Sequence, residues 1–162
     1  MFAKICGILI LFALATPAFA KAPIAQPRFT DTVIYAEGPS VGIAYFTVES
    51  PFPDVIDGLG SDCCEAVELH SNVRQNGVMR MRKAGGLEVP AKRAVHVQPP
   101  ERGGDAASGL HVMLIGLKQP LTAGEKVAIT VNFKHAKSQM VVFTVVDRRV
   151  TSATPTAEHA HH

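Results

Sequence analysis

Tryptophan is absent, and the aromatic side chains amount to eight Phe and two Tyr, 6% of the chain. A sugar-stacking or base-stacking platform has little to be built from. Charge of one sign is lacking as well: 16 Lys and Arg face 14 Asp and Glu, for a formal net charge of +2. Such a balance offers no basic surface to nucleic acid or to an anionic membrane, and neither is expected as a partner. Sustained helical periodicity is missing from every window. Apolar runs are short, and Ile5–Ala15 falls below the roughly 20 residues that span a bilayer. Cysteine is scarce, with three in 162 residues. No zinc-hydrolase His-Glu-x-x-His motif occurs, and no substrate cleft is legible, so the chain is not read as an enzyme.

What is present begins with a leader. Lys4 supplies a positive n-region, Ile5 to Ala15 an apolar h-region, and Ala18-Phe-Ala20 a cleavage site. Residues 1–20 are expected to be a cleaved signal peptide, so the mature chain is expected to be secreted, which in a Gram-negative cell means the periplasm. Cys6 would leave with the leader and does not sit at the cleavage position, so no membrane anchor is expected in the mature chain. Loss of Lys4 lowers the net charge from +2 to about +1. The remainder suits one domain, residues 21–148, followed by a polar tail, 149–162, expected to be flexible.

Short segments rich in Val, Ile, Phe and Thr recur between Gly, Pro and Asp punctuation. Strands are predicted at Thr32–Ala36, Gly42–Glu49, Val55–Leu59, Ala66–Ser71, Val78–Lys83, Arg93–Gln98, Leu110–Leu117, Lys126–Phe133 and Met140–Asp147. Many short strands at near-regular spacing indicate an all-β antiparallel sandwich of Greek-key type.

Two of these strands carry soft ligands. Residues two apart on a strand share a face, so His111 and Met113 set an imidazole beside a thioether. His70 closes Glu65-Ala-Val-Glu-Leu-His70, and Met81 follows after ten residues. Imidazole with thioether is a ligand set for copper, and sulfur favours Cu(I) over hard cations. Each of these residues taken singly reads as core or surface; together they point to a metal site. Met79 is read first as packing beside Met81, with a role as substitute donor in reserve, and His96 and His135 are read as structural. His159, His161 and His162 form a short tract suited to Cu(II). Cys63 and Cys64 are neighbours, whose Cα atoms lie about 3.8 Å apart, below the usual disulfide range. Two small residues entering a strand, a redox pair and an accessory copper thiolate all fit them.

The chain resembles the periplasmic copper chaperones of the PCu(A)C family, whose pattern is a His, ten residues, a Met, about twenty-one residues, then His-x-Met. His70, Met81, His111 and Met113 match its residue types and its first and last spacings, and the likeness runs from about Phe29 to Asp147. Ala44-Tyr-Phe-Thr-Val-Glu49, Gly86-Leu-Glu-Val-Pro90 and Pro120-Leu-Thr-Ala-Gly-Glu125 also look similar. The resemblance implies a cupredoxin-like fold and Cu(I) held by these four residues. It further implies delivery to the copper-site subunit of cytochrome c oxidase or to another copper chaperone. One departure is the 29-residue interval Arg82–Leu110, about eight longer than the pattern, with the excess expected in Gln98–Gly109. Doubling a surface loop costs only about 0.6 kcal/mol, so the flanking strands can keep their register. An electron-transfer cupredoxin would need a Cys between late His and Met ligands, which is missing. A metal-free β-sandwich that serves as an interaction module of the envelope is the alternative.

Overall fold

Val127, Ile129, Val131 and Phe133 alternate with more exposed residues, the signature of a strand buried on one face. The same logic holds along the chain in the computed structural model, which describes residues 25–98 and 109–147. Every regular element within them is a strand: β1 (Arg28–Ala36), β2 (Val41–Glu49), β3 (Asp54–Gly60), β4 (Cys64–Gln75), β5 (Val78–Lys83), β6 (Leu87–Val89), β7 (Ala94–Val97), β8 (Leu110–Leu117), β9 (Lys126–Phe133) and β10 (Gln139–Val146). All nine predicted strands are there, with β1 and β4 longer than expected. β6 was not anticipated, because three residues are too few to display a period.

The ten strands form one curled sheet in the order β5-β4-β8-β2-β1-β10-β9-β3-β6, with β7 also on β2. β2 shares one edge between two partners: Val41–Ala44 pair with β8, and Phe46–Glu49 with β7. β1 takes its other edge and joins β10 in a parallel ladder, while the other ladders are antiparallel.

The sheet curls around an apolar interior. Ile34 of β1, Leu114 of β8 and Val131 of β9 are fully buried there. Phe46 meets Phe143 edge-on at 6.2 Å, and Phe29 bridges Phe46 and Phe133 at 5.5 and 6.1 Å. On the arm β5-β4-β8, Val67, Leu69, Val112 and Leu114 point into this core. Alternation then turns Glu68, His70, His111 and Met113 to the opposite face.

Candidate metal centre

Register decides which side chains meet. β4 and β8 pair antiparallel with His70 directly opposite His111 and Glu68 opposite Met113. β4 pairs with β5 so that Asn72 faces Met81 and His70 faces Lys83. Directly paired residues share a face, so His70, His111, Met113, Met81, Glu68, Asn72 and Lys83 all lie on the outer side of this arm. His70 and His111 form its centre, with ring centroids 6.0 Å apart and planes inclined at 54°. Met113 and Met81 flank His70 diagonally, one on each neighbouring strand.

Each imidazole is anchored through one nitrogen. His70 Nε2 lies 3.0 Å from Glu68 Oε2, and His111 Nδ1 lies 3.3 Å from the Gly109 carbonyl. A carboxylate and a carbonyl only accept hydrogen bonds, so the anchored nitrogen of each neutral ring carries the proton. The other nitrogen of each is then a bare lone pair. These two atoms, His70 Nδ1 and His111 Nε2, are both buried and have no hydrogen-bond partner. Buried polar atoms are nearly always satisfied, and two orphans on adjacent rings call for an explanation. A metal ion accepting both lone pairs supplies one, and the residues fit such an ion.

The surroundings of His111 keep its ring in the ligand state. Burial pushes the His111 imidazole below its ordinary value, and charge on His70 pushes the same way against the Gly109 carbonyl. His111 is 4% exposed. Lys83 Nζ sits 2.6 Å from Glu68 Oε1. That hydrogen bond first, and the one to His70 second, hold the Glu68 carboxyl below the usual range, so it stays an acceptor. Gly109 contributes through its backbone: its carbonyl also accepts the Asn72 amide at 3.1 Å, and its φ of +90° strains any residue with a Cβ.

The four residues expected to bind metal are thus not equally placed. His70, His111 and Met113 are neighbours on two strands, whereas Met81 lies one strand further out and is 51% exposed. Among the described residues, no group of three or more His, Cys, Asp or Glu is arranged to hold an ion, and Met113 is the soft donor beside the two rings. Glu68 and Gly109 were missed by sequence reasoning. Glu68, two before His70 on a strand, could have been found by the rule that pairs His111 with Met113.

Other candidates fall elsewhere. His96 Nδ1 lies 3.1 Å from Thr47 Oγ1, and His135 Nδ1 lies 3.1 Å from Asp54 Oδ1, both away from this face. Cys63 and Cys64 are free and lie at the far end of β4. Gly38-Pro-Ser-Val-Gly42 matches the letters of a nucleophile elbow, but Ser40 stands in a turn between two strands rather than between strand and helix. The side chain of Met79, residues 1–20, most of Gln98–Gly109, and the tail 149–162 with His159, His161 and His162 lie outside the described residues.

The sequence profile of the family described as "Putative lipoprotein LpqE-like" matches residues 18–145. "Putative lipoprotein Lxx21020" of Leifsonia xyli subsp. xyli is 29% identical over 141 residues, 83% of this chain and 80% of that protein. Among solved structures, the copper-bound PCuAC domain from PmoF2 superposes with a TM-score of 0.57 at 18% identity, over 76% of this chain and 95% of that one. Cu(I)-bound DR1885 from Deinococcus radiodurans superposes with a TM-score of 0.53 at 26% identity, over 76% of this chain and 78% of that one. The all-β, cupredoxin-like architecture expected from the sequence is the one found.

Proposed function

The chain belongs to the LpqE-like family of PCu(A)C type, and from that premise we propose that it is a periplasmic copper chaperone that carries Cu(I) at His70, His111, Met113 and Met81. The observation that carries this reading is the pair of orphaned lone pairs, His70 Nδ1 and His111 Nε2, on facing residues of two adjacent strands. Neutral imidazole and thioether suit Cu(I), which tolerates low coordination by soft donors. The Cu(I)-bound relative from Deinococcus radiodurans supports the same cargo.

Unequal exposure suits a carrier. Buried His111 holds the ion on the protein side, while half-exposed Met81 at the edge strand is the donor an incoming ligand can replace first. Cargo then moves by ligand exchange without any redox step. The copper-site subunit of a respiratory oxidase, or another copper chaperone, is the recipient that the family resemblance implies. A leader at residues 1–20 and a relative named as a lipoprotein support an envelope location. Exposed Val73 and Val78 on one face of the β4–β5 edge also fit a metal-free interaction module.

Anaerobic Cu(I) titration against a competing chelator separates the two. The expected result is a tight equivalent that His111→Ala and Met113→Ala each weaken at least 100-fold. Weak binding, or binding indifferent to both variants, overturns the chaperone reading in favour of the interaction module.

A further inference from the structure

At the opposite end of β4 and β8 from the histidines lies a second cluster of soft donors. Cys64 faces Leu117 in the register that sets His70 against His111, six residues further along β4. At about 3.3 Å per residue, that is about 20 Å away. The two thiols point to the same place: Cys63 Sγ lies 3.3 Å from Cys64 Sγ, and Ser61 Oγ lies 3.3 Å from Cys63 Sγ. Cys63 is half-buried on the wall of an open groove of about 430 Å³, and Cys64 is buried in the apolar core. Ser61 and Cys63 line one side of that groove, and Thr130 and Met140 line another. Cross-strand pairing brings Met140 there, since Met140 faces Thr130 and Thr130 faces Gly60, just before the turn to Cys63.

Two features are otherwise unexplained. Met140, on the groove wall, is 74% exposed. Adjacent cysteines are a poor structural cross-link, because their Cα atoms are about 3.8 Å apart, short of the span that an unstrained disulfide needs. A strained disulfide is the readily reduced kind, so the pair favours the dithiol even where structural disulfides persist. A dithiol that resists closure, with the Cys63 thiol on a groove that carries the Met140 thioether on its wall, offers donors for a soft cation.

We propose that Cys63 and Cys64, with Met140 across the groove, form a second metal site that takes a soft monovalent cation such as Cu(I), separate from the histidine face. Binding exchanges thiol protons for the ion: S–H bonds give way to S–metal bonds, the protons pass to solvent, and no electron is transferred. The chemistry at the two sites differs, since the histidine face offers neutral donors and this one offers thiolate.

The test uses Cu(I) alone under anaerobic conditions, read by chelator competition and by thiolate-to-copper charge-transfer absorption in the ultraviolet. In His111→Ala, one equivalent with that absorption is expected to remain, and Cys63→Ser is expected to abolish it. Met140→Leu keeps the absorption and weakens this equivalent several-fold. Cys63→Ser changes a half-buried side chain, and circular dichroism checks that it folds. Cu(I) bound beforehand should also shield both thiols of the wild type from alkylation. No thiolate absorption in His111→Ala, or absorption that persists in folded Cys63→Ser, overturns the proposal. Such a failure leaves the histidine site untouched, because that equivalent is lost in His111→Ala and carries no thiolate band.

Discussion

Glu68 has no affinity for a soft metal of its own, yet it fixes what His70 can offer. Its carboxylate accepts a hydrogen bond from Nε2–H at 3.0 Å and so leaves Nδ1 bare. Lys83, 2.6 Å away, keeps that carboxylate charged. Partners of this kind orient a ligand ring and raise its basicity, and their loss typically costs 10–100-fold in metal affinity. Glu68→Gln is therefore expected to weaken Cu(I) binding by about 10–100-fold while the fold persists. Chelator competition reads the affinity, and circular dichroism the fold. An unchanged affinity means that His70 needs no such anchor. The four expected ligands are picked out in the sequence one by one because each has a chemical identity. Their tautomers are not, since those depend on atoms of Glu68 and Gly109 that only the register of β4 and β8 brings near.

Single strands here serve two purposes at once. β8 turns Val112 and Leu114 to the core and Met113 to the outer face. Leu114→Ala should open a cavity and cost about 2–5 kcal/mol in denaturant unfolding, with metal affinity unchanged so long as the protein is folded. Met113→Ala should do the reverse, costing Cu(I) affinity and under about 1 kcal/mol of stability. Equal losses of stability in both variants would mean that β8 is not two-faced. β3 joins its neighbours through a charge: the buried Asp54 carboxylate accepts the amides of Val55, His135 and Ala136 at 2.8, 3.0 and 2.8 Å, tying β3 to the turn before β10. Burial alone would raise this carboxyl, but the three amides and the His135 ring outweigh it and hold it below 3.8. A depressed folded value means that the stabilisation is complete above 3.8 and is lost as pH falls from there through the folded value. Asp54→Asn should lower stability by about 1–3 kcal/mol at pH 7, and its deficit should shrink on acidification to about pH 2. Urea unfolding at pH 7, 4 and 2 measures both; a deficit constant with pH would show that the charge contributes nothing. Alternation made β8 and β9 legible beforehand. The Asp54 tie was not, because it links residues some eighty positions apart and leaves no local pattern.

The closure of the sheet was equally invisible in the sequence. β1 and β10 come from opposite ends of the domain and meet in a parallel ladder, Val33 against Thr144 through Tyr35 against Val146. Nothing periodic marks a pairing of that kind, whereas the fold class followed from strand count and spacing. Its consequence is mechanical. The arm β5-β4-β8 carries the candidate centre on its outer face and its share of the common core on the inner one. An ion bridging His70 of β4 and His111 of β8 therefore ties two strands whose packing the whole molecule shares. A ligand that binds only the folded chain stabilises it by about 2.7 kcal/mol at a free concentration one hundred times its Kd. For a domain of this size, that corresponds to a rise in Tm on the order of 10 °C. In Cys63→Ser, which lacks the thiol pair, anaerobic Cu(I) at that excess should still produce the shift, and a Cu(I) chelator should reverse it. Adding His111→Ala to the same chain should abolish the shift without lowering the metal-free Tm by a comparable amount. The metal-free baseline matters, because removing the buried ring leaves a void that lowers Tm by itself. A shift that survives loss of both Cys63 and His111 would place the stabilising ion on neither face. A shift lost already in Cys63→Ser would assign the stabilising ion to the groove, leaving the histidine pair as buried nitrogens without a cargo.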